Sequence, residues 1–314
     1  MADTKTLKLR AFSLVNMDIN HNESNLLALL SNKLKDSVMN DRRMPINPDD
    51  PQHEEDLIAN FDLRMKGNDC IMIAGTMLRI ASVEDIPNIT DDILNKQKVD
   101  IETLESIKSD SKVIYKSHYY FAVNNNFLVT TLPANRTITA YQTYINEYLK
   151  DVREDRLYEF SPLLTKSEKV KFSDVKSIKI GSKDYNIGDA SRKDRNSPLF
   201  VKRITNVAKD ILKNIMEESK DLKQILDEEI VSAELVLKFS KRKNKAKETA
   251  KALSAFLKPI SETDGIELTT KEGGKITASD VLKTKLVSIE LTESKHISEA
   301  QLFQEMEKFL SELK

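Results

Sequence analysis

The residues of this chain best placed to do chemistry are its clustered cations. Lys241, Arg242, Lys243, Lys245 and Lys247 follow one another almost without interruption, and Lys243, Lys247 and Lys251 recur at i, i+4 steps. A second group, Arg192, Lys193, Arg195, Lys202 and Arg203, begins in a stretch almost devoid of apolar residues. Like charges at helical spacing repel, and cations in a first helical turn oppose its dipole, at about 0.3–0.5 kcal/mol each when exposed. A bound polyanion removes both penalties, because phosphates favour the free N–H groups of a helix start and accept from every Lys and Arg around it. The chemistry expected here is therefore binding of a nucleic-acid backbone. Phosphate contacts give affinity without reading bases, so binding to DNA is expected to be largely independent of sequence. A solvated basic face, or one neutralised by the acidic block 217–229, accounts for the same residues without a ligand.

Two elements must position the Lys241 group. Residues 231–240 alternate, with Val231, Ala233, Leu235, Leu237 and Phe239 on one side and Ser232, Glu234, Lys238 and Ser240 on the other, which predicts a half-buried strand. Over 241–257, Ala246, Thr249, Ala250, Leu253, Phe256 and Leu257 fall at helical spacing, and Ser240 is placed to cap that helix. Strand end and helix start meet at a corner, and the cations sit on it.

Other chemistry finds little support. His21, His53, His118 and His296 are scattered, Cys70 is the single cysteine, and seven glycines form no phosphate-binding loop. His53-Glu54-Glu55-Asp56 has ligand-like types but reads more simply as an acidic helical turn before Leu57 or a solvated loop. Asp174-Val175-Lys176 is the nearest approach to a metal-dependent nuclease, and it lacks a recognisable partner carboxylate. The tyrosine pairs invite base stacking, yet aromatics at strand and helix spacing are more often core. The expectation is a non-enzymatic protein with no catalytic residues, no metal and no cofactor.

The chain has 314 residues, 39% apolar and 32% charged, with a net charge of −1, so any nucleic-acid surface must come from local segregation of charge. Its length suggests two α+β halves, 1–155 and 156–314, the second bearing the basic surface. One cysteine excludes an internal disulfide and suits a reducing cytoplasm. The start, MADTKTLKLR, has no signal-peptide core, and no apolar run reaches membrane-span length.

Along the chain, the pattern predicts a strand at 5–16, a helix at 24–38, and paired strands at 57–65 and 69–80 around the turn Lys66-Gly67-Asn68. A polar stretch, 82–112, holds short helical pieces near Asp91 and Ile101. A hairpin turns at Asn124-Asn125-Asn126, and a helix follows with Ile138, Tyr141, Ile145, Tyr148 and Leu149 inward. Strands are predicted at 157–164 and 170–180, a loop at 185–198 and a helix at 199–216. A hairpin at 266–277, a strand at 281–291 and a helix at 298–313 end the chain. The stripe Ile297, Leu302, Phe303, Met306, Phe309, Leu310 and Leu313 of that helix fits either a second copy or the chain's own sheet. Mixed order without regular β-α alternation argues for an α+β fold of mainly antiparallel sheets with packed helices.

In sequence order, Ala81-Ser82-Val83-Glu84-Asp85-Ile86, the strand pair around 120–132, Phe160-Ser161-Pro162-Leu163-Leu164, LVLKFSKRKNKAKETAKAL and ELTTKEGGKITA resemble the RexA-like exclusion proteins of temperate phage. The likeness runs from about Cys70 onward, and the first seventy residues depart from it. The DNA-binding subunit of the Kiwa defence system is a related comparison. The resemblance implies a cytoplasmic, dimeric DNA-binding protein that senses phage infection, with a phage protein as trigger and a membrane protein as partner. Against it stand an assembly module in which basic and acidic segments bind each other, and a metal-dependent nuclease.

Overall fold

A computed structural model of the chain describes residues 3–16, 25–45, 54–82, 91–106, 113–134, 136–154, 156–165, 175–181, 234–238 and 266–313. The protein is an α+β fold built on antiparallel sheets, as the mixed order of elements predicts. It divides into two compact units. The first comprises Met1–Pro133, Ile138–Leu163 and Lys283–Lys314, the second Ala134–Thr137 and Leu164–Leu282.

In chain order the first unit contains β1 (Thr4–Asn16), α1 (Leu26–Lys35), a 3-10 turn (Met39–Arg42), β2 (Met44–Pro45), β3 (Glu54–Lys66), β4 (Asp69–Ser82), α2 (Asp91–Leu94), α3 (Ile101–Ser106), β5 (Val113–Val123), β6 (Phe127–Thr130), α4 (Thr139–Tyr148) and β7 (Tyr158–Pro162). The second unit supplies β8 (Val175–Gly181), β9 (Glu234–Lys238), β10 (Ile266–Thr270), β11 (Lys275–Thr277) and α5 (Ala278–Val281). The chain then returns to the first unit with β12 (Thr284–Glu290) and α6 (Glu299–Glu312).

Strand β1 organises the first unit. Its residues 4–10 pair with β12, 12–16 with β7 and 10–13 with β6, all antiparallel. Because β6 shares Arg10 with β12 and Phe12 with β7, the latter two lie end to end along one edge of β1 and β6 runs along the other. The eight-stranded sheet continues β6-β5-β4-β3-β2. At the junction Ala11 donates to Lys283 O (3.0 Å), Leu163 donates to Ala11 O (2.9 Å) and Lys283 donates to Leu163 O (2.7 Å). The chain thus leaves the first unit and re-enters it at neighbouring points. The two units do not follow the expected halves, 1–155 and 156–314: apart from Ala134–Thr137, the second unit is the stretch Leu164–Leu282 between β7 and β12, and β12 and α6 complete and cover the first sheet.

Alternation along the strands sorts side chains onto two faces. On one, Ile58, Phe61, Ile73, Met77, Phe121, Val123 and Leu128 pack with the leucines of α1 and with Tyr141, Tyr144, Ile145 and Tyr148 of α4. On the other, Met72, Ala74, Tyr120, Ala122 and Val129 meet Leu302, Phe303, Met306, Phe309 and Leu310 of α6. Leu57, Leu78 and Ile80 meet Ile93, Leu94, Ile101 and Leu104 of α2 and α3. The terminal helix therefore lays its apolar stripe on its own sheet. Tyr119, Tyr120, Tyr141, Tyr144 and Tyr148 are all buried, so base stacking is not open to them.

Local signals account for several element ends. Ser298 caps α6 by accepting from Gln301 N, and Gly67 turns the β3–β4 hairpin with φ +63°. β3 includes Glu54 and Glu55 ahead of the apolar run, and Glu54 has cationic partners in Arg79 of β4 and Lys116 of β5. In the second unit a four-stranded sheet is ordered β11-β10-β8-β9, with Leu268 and Val175 buried.

Among the described glycines, Gly75 of β4 is the one where an added Cβ would strike backbone. A Cβ there would meet Asn60 O at 2.7 Å and the Phe121 ring at 2.9 Å. The oxygen is main chain and cannot swing aside. Gly75→Ala is therefore expected to lower stability by about 1–3 kcal/mol, the range for an overpacked core, read as a lower urea midpoint with unchanged slope.

Candidate nucleic-acid interface

β9, Glu234–Lys238, forms within the stretch 231–240 whose alternation predicts a strand, and among the described residues it is the edge strand of the second unit's sheet. It pairs antiparallel with β8, Lys238 opposite Ser177 and Val236 opposite Lys179. The last described residue of β9 is thus three positions before Lys241. On the same sheet Lys176 is exposed, and Lys271 and Lys275 are exposed around the β10–β11 turn. Lys275 pairs with Glu267 at 3.0 Å.

The groups that motivate DNA binding, Lys241, Arg242, Lys243, Lys245, Lys247 and Lys251 with Arg192, Lys193, Arg195, Lys202 and Arg203, lie outside the described residues. So do the helices expected at 199–216 and 241–257, the acidic block 217–229, Asp174, His21 and His53.

Within the first unit the structure brings together charged groups that the sequence pattern did not single out. Asp56, 2% exposed on β3, faces Arg79 directly across the ladder, and the guanidinium grips it with two bonds, Nε to Oδ1 at 2.8 Å and Nη2 to Oδ2 at 2.9 Å. Glu54 stands 3.6 Å from Arg79 Nη1 and bonds Lys116 Nζ on β5 at 2.6 Å. Burial works against the Arg79 charge, but the Asp56 carboxylate, backed by Glu54, more than offsets it, and the pKa rises. Arg43 takes Glu55 at 2.5 Å. The acidic run that looked ligand-like is thus the start of a strand whose described carboxylates are engaged by cations.

Arg42, fully buried at the end of the 3-10 turn, is held differently. Its guanidinium donates to Ser37 Oγ (2.9 Å), Ser37 O (2.7 Å), Ile58 O (2.9 Å) and Gln97 O, and lies 4.9 Å from the centre of the Phe61 ring. Tyr144 OH donates to Arg42 O (3.0 Å) and accepts from Ile58 N (3.2 Å), while Tyr148 OH shares a hydrogen bond with Ser37 Oγ (3.0 Å). Burial is the largest influence on Arg42 and lowers its pKa, without removing the charge of a guanidinium. A cation engaged by carbonyls ties the 3-10 turn to β3 and to Gln97, and is closed to a ligand.

On the α6 face, half-buried Glu299 accepts from Asn60 Nδ2 (2.6 Å) and Thr76 Oγ1 (3.3 Å), joining the first turn of α6 to β3 and β4. Burial raises its pKa, partly offset by the Asn60 bond. His118 sits edge-on to Tyr120, ring centres 5.3 Å apart, and its pKa is pushed down to about 4 by burial, with Lys5 and His296 nearby adding to the shift. Among the described residues no cluster of His, Cys, Asp and Glu is arranged to hold a metal ion. No family model matches the chain, and neither a curated protein nor a solved structure does.

Arg42, Asp56, Arg79 and Glu299 escaped the sequence pattern because nothing local marks them. The one available signal was Arg79 within an apolar strand and Asp56 just ahead of its partner strand, which register counted from the Gly67 turn places opposite each other.

Two outcomes follow from these contacts. Asp56→Ala leaves the Arg79 guanidinium part-buried with only Glu54, and is expected to cost about 3 kcal/mol, the low end for breaking a buried pair, measured by urea unfolding. His118 in the unfolded chain binds a proton near pH 6.5 that the folded chain refuses until about pH 4. Its contribution is complete above pH 6.5 and is lost as pH falls toward 4. Melting temperatures of His118→Gln should fall less than those of the parent chain over this window, and an NMR midpoint for His118 near 6.5 would contradict the assignment.

Proposed function

We propose that the protein is a non-enzymatic, largely sequence-nonspecific DNA-binding sensor of phage infection. It acts as a cytoplasmic dimer with a membrane partner and is triggered by a phage protein. The observation that carries DNA binding is the run of cations at 241–251 immediately after β9, an element that forms where the alternating pattern predicts it. β9 itself is paired to β8. The order of motifs shared with RexA-like exclusion proteins supports the biological setting. No helix among the described residues is long and apolar enough to cross a membrane.

If Lys241, Arg242, Lys243 and Lys247 each neutralise one phosphate, changing all four to Ala should reduce the slope of log K against log salt by about 3–4, at about 0.9 per contact on duplex DNA. The melting temperature should hold or rise slightly, since mutually repelling cations are removed. Neutralisation by the acidic block predicts the reverse, a lower melting temperature with unchanged affinity. Unchanged affinity and slope on long duplex DNA would show that these residues are not the DNA surface, and cleavage of the DNA with Mg²⁺ or Mn²⁺ present would replace the sensor with a nuclease.

A further inference from the structure

β12 is the outer strand of the first unit's sheet, and part of its outer edge is open among the described residues. Lys283 O accepts from Ala11 N and Leu291 N donates to Asp3 O, so the odd-numbered residues of this strand turn their backbone groups to β1 and the even-numbered ones turn theirs outward. The outward groups of Glu290 are satisfied within the chain: its N–H reaches Gln301 Oε1 (2.6 Å) and its carbonyl accepts from Ser298 N (3.1 Å). Thr284, Leu286 and Ser288 have no such partners among the described residues. At the middle of this open stretch Leu286 is 69% exposed, the most exposed of the large apolar side chains described. An unprotected edge carrying a bare leucine is a template for another strand.

We propose that a second copy of this chain occupies it, the two β12 strands pairing antiparallel about a two-fold axis through Leu286. That register sets Leu286 beside Leu286 of the other copy and Thr284 beside Ser288, so every outward group meets an outward group and all three rungs close. The sequence suits self-pairing. Thr, Leu and Ser bring no charge to the rungs, and of the two lysines flanking Thr284, Lys283 and Lys285, the one beside Leu286 is held by Glu312 at 2.5 Å. The stretch is short, closed at one end by the bonds of Glu290 to Gln301 and Ser298 and bounded at the other by Leu282, which is bridged to Leu164, so its length matches itself. Three rungs and a leucine pair fall well below the ~1,200 Å² of a stable interface, so the dimer is weak and concentration-dependent. The proposal specifies the oligomeric part of the proposed function and does not depend on DNA binding.

The experiment uses the full chain with Cys70→Ser, which removes the only native thiol. Leu286→Cys should form a covalent dimer rapidly under mild oxidation, because facing residues of such a rung have Cα atoms ~5.5 Å apart, within disulfide reach. Ser288→Cys should not, its two copies lying four residue steps apart, roughly 13 Å. Leu286→Pro removes an N–H that the single chain leaves unused. It should keep its melting temperature within a few degrees while weakening the dimer, by sedimentation equilibrium, about tenfold or more. If that variant does not fold, the cysteine pair decides. A dimer that persists with Leu286→Pro, or cross-links as readily through Ser288→Cys, overturns the proposal and leaves the oligomeric reading standing. A chain that is monomeric at about 100 µM overturns both.

Discussion

The first unit depends on satisfying both edges of β1. Over residues 10–13 its backbone runs between strands on both sides, and Leu9, Arg10, Ala11 and Phe12 are buried, where an unpaired N–H or carbonyl costs as much as a lost hydrogen bond. Three strands distant in sequence supply the partners, β6 on one side, and β7 and β12 in line on the other. β12 arrives only after the whole of residues 164–282, so closing the sheet requires bringing together segments separated by more than a hundred residues. The entropy of closing so long a loop grows only slowly with length, which makes the arrangement tolerable in stability and slow to assemble.

Around this frame the polar interior is used for joining rather than for exposure. Arg42 binds carbonyls of three segments, Asp56 and Arg79 lock the β3–β4 register, and Glu299 joins α6 to β3 and β4. Charges buried this way contribute little net stability when paired and penalise strongly any arrangement that unpairs them. In a sheet with two apolar faces, where a strand could slip without much hydrophobic loss, such contacts select one register. The phenols of Tyr144 and Tyr148 extend the same role to α4, with burial holding both un-ionised.

Much of the first unit was legible in the sequence because its signals are local. Alternation located β1, β3, β4, β5 and β6, the triplets Lys66-Gly67-Asn68 and Asn124-Asn125-Asn126 set two hairpins, and Ser298 fixed the start of α6. The three-strand sharing of β1 was not legible, since no residue type announces which distant strand will lie beside it, and the return of the chain to this sheet at β12 was not legible for the same reason. Glu54-Glu55-Asp56 looked like a turn because charge is a poor strand signal until its partners on β4 and β5 are known. Of the candidate site, the strand entering it was legible from period 2 alone; the basic residues themselves were chosen by charge and spacing.

The pairing of Leu163 with Lys283 has a consequence for how such a protein can change. Where the chain departs for the second unit and where it returns are one hydrogen bond apart, so the frame demands almost nothing of what connects them except that its ends be adjacent. A hairpin of ordinary length would satisfy that demand as well as a folded unit does. The junction is therefore a graft point: a lineage can enlarge, trim or exchange the module borne there while the host sheet keeps the same hydrogen bonds.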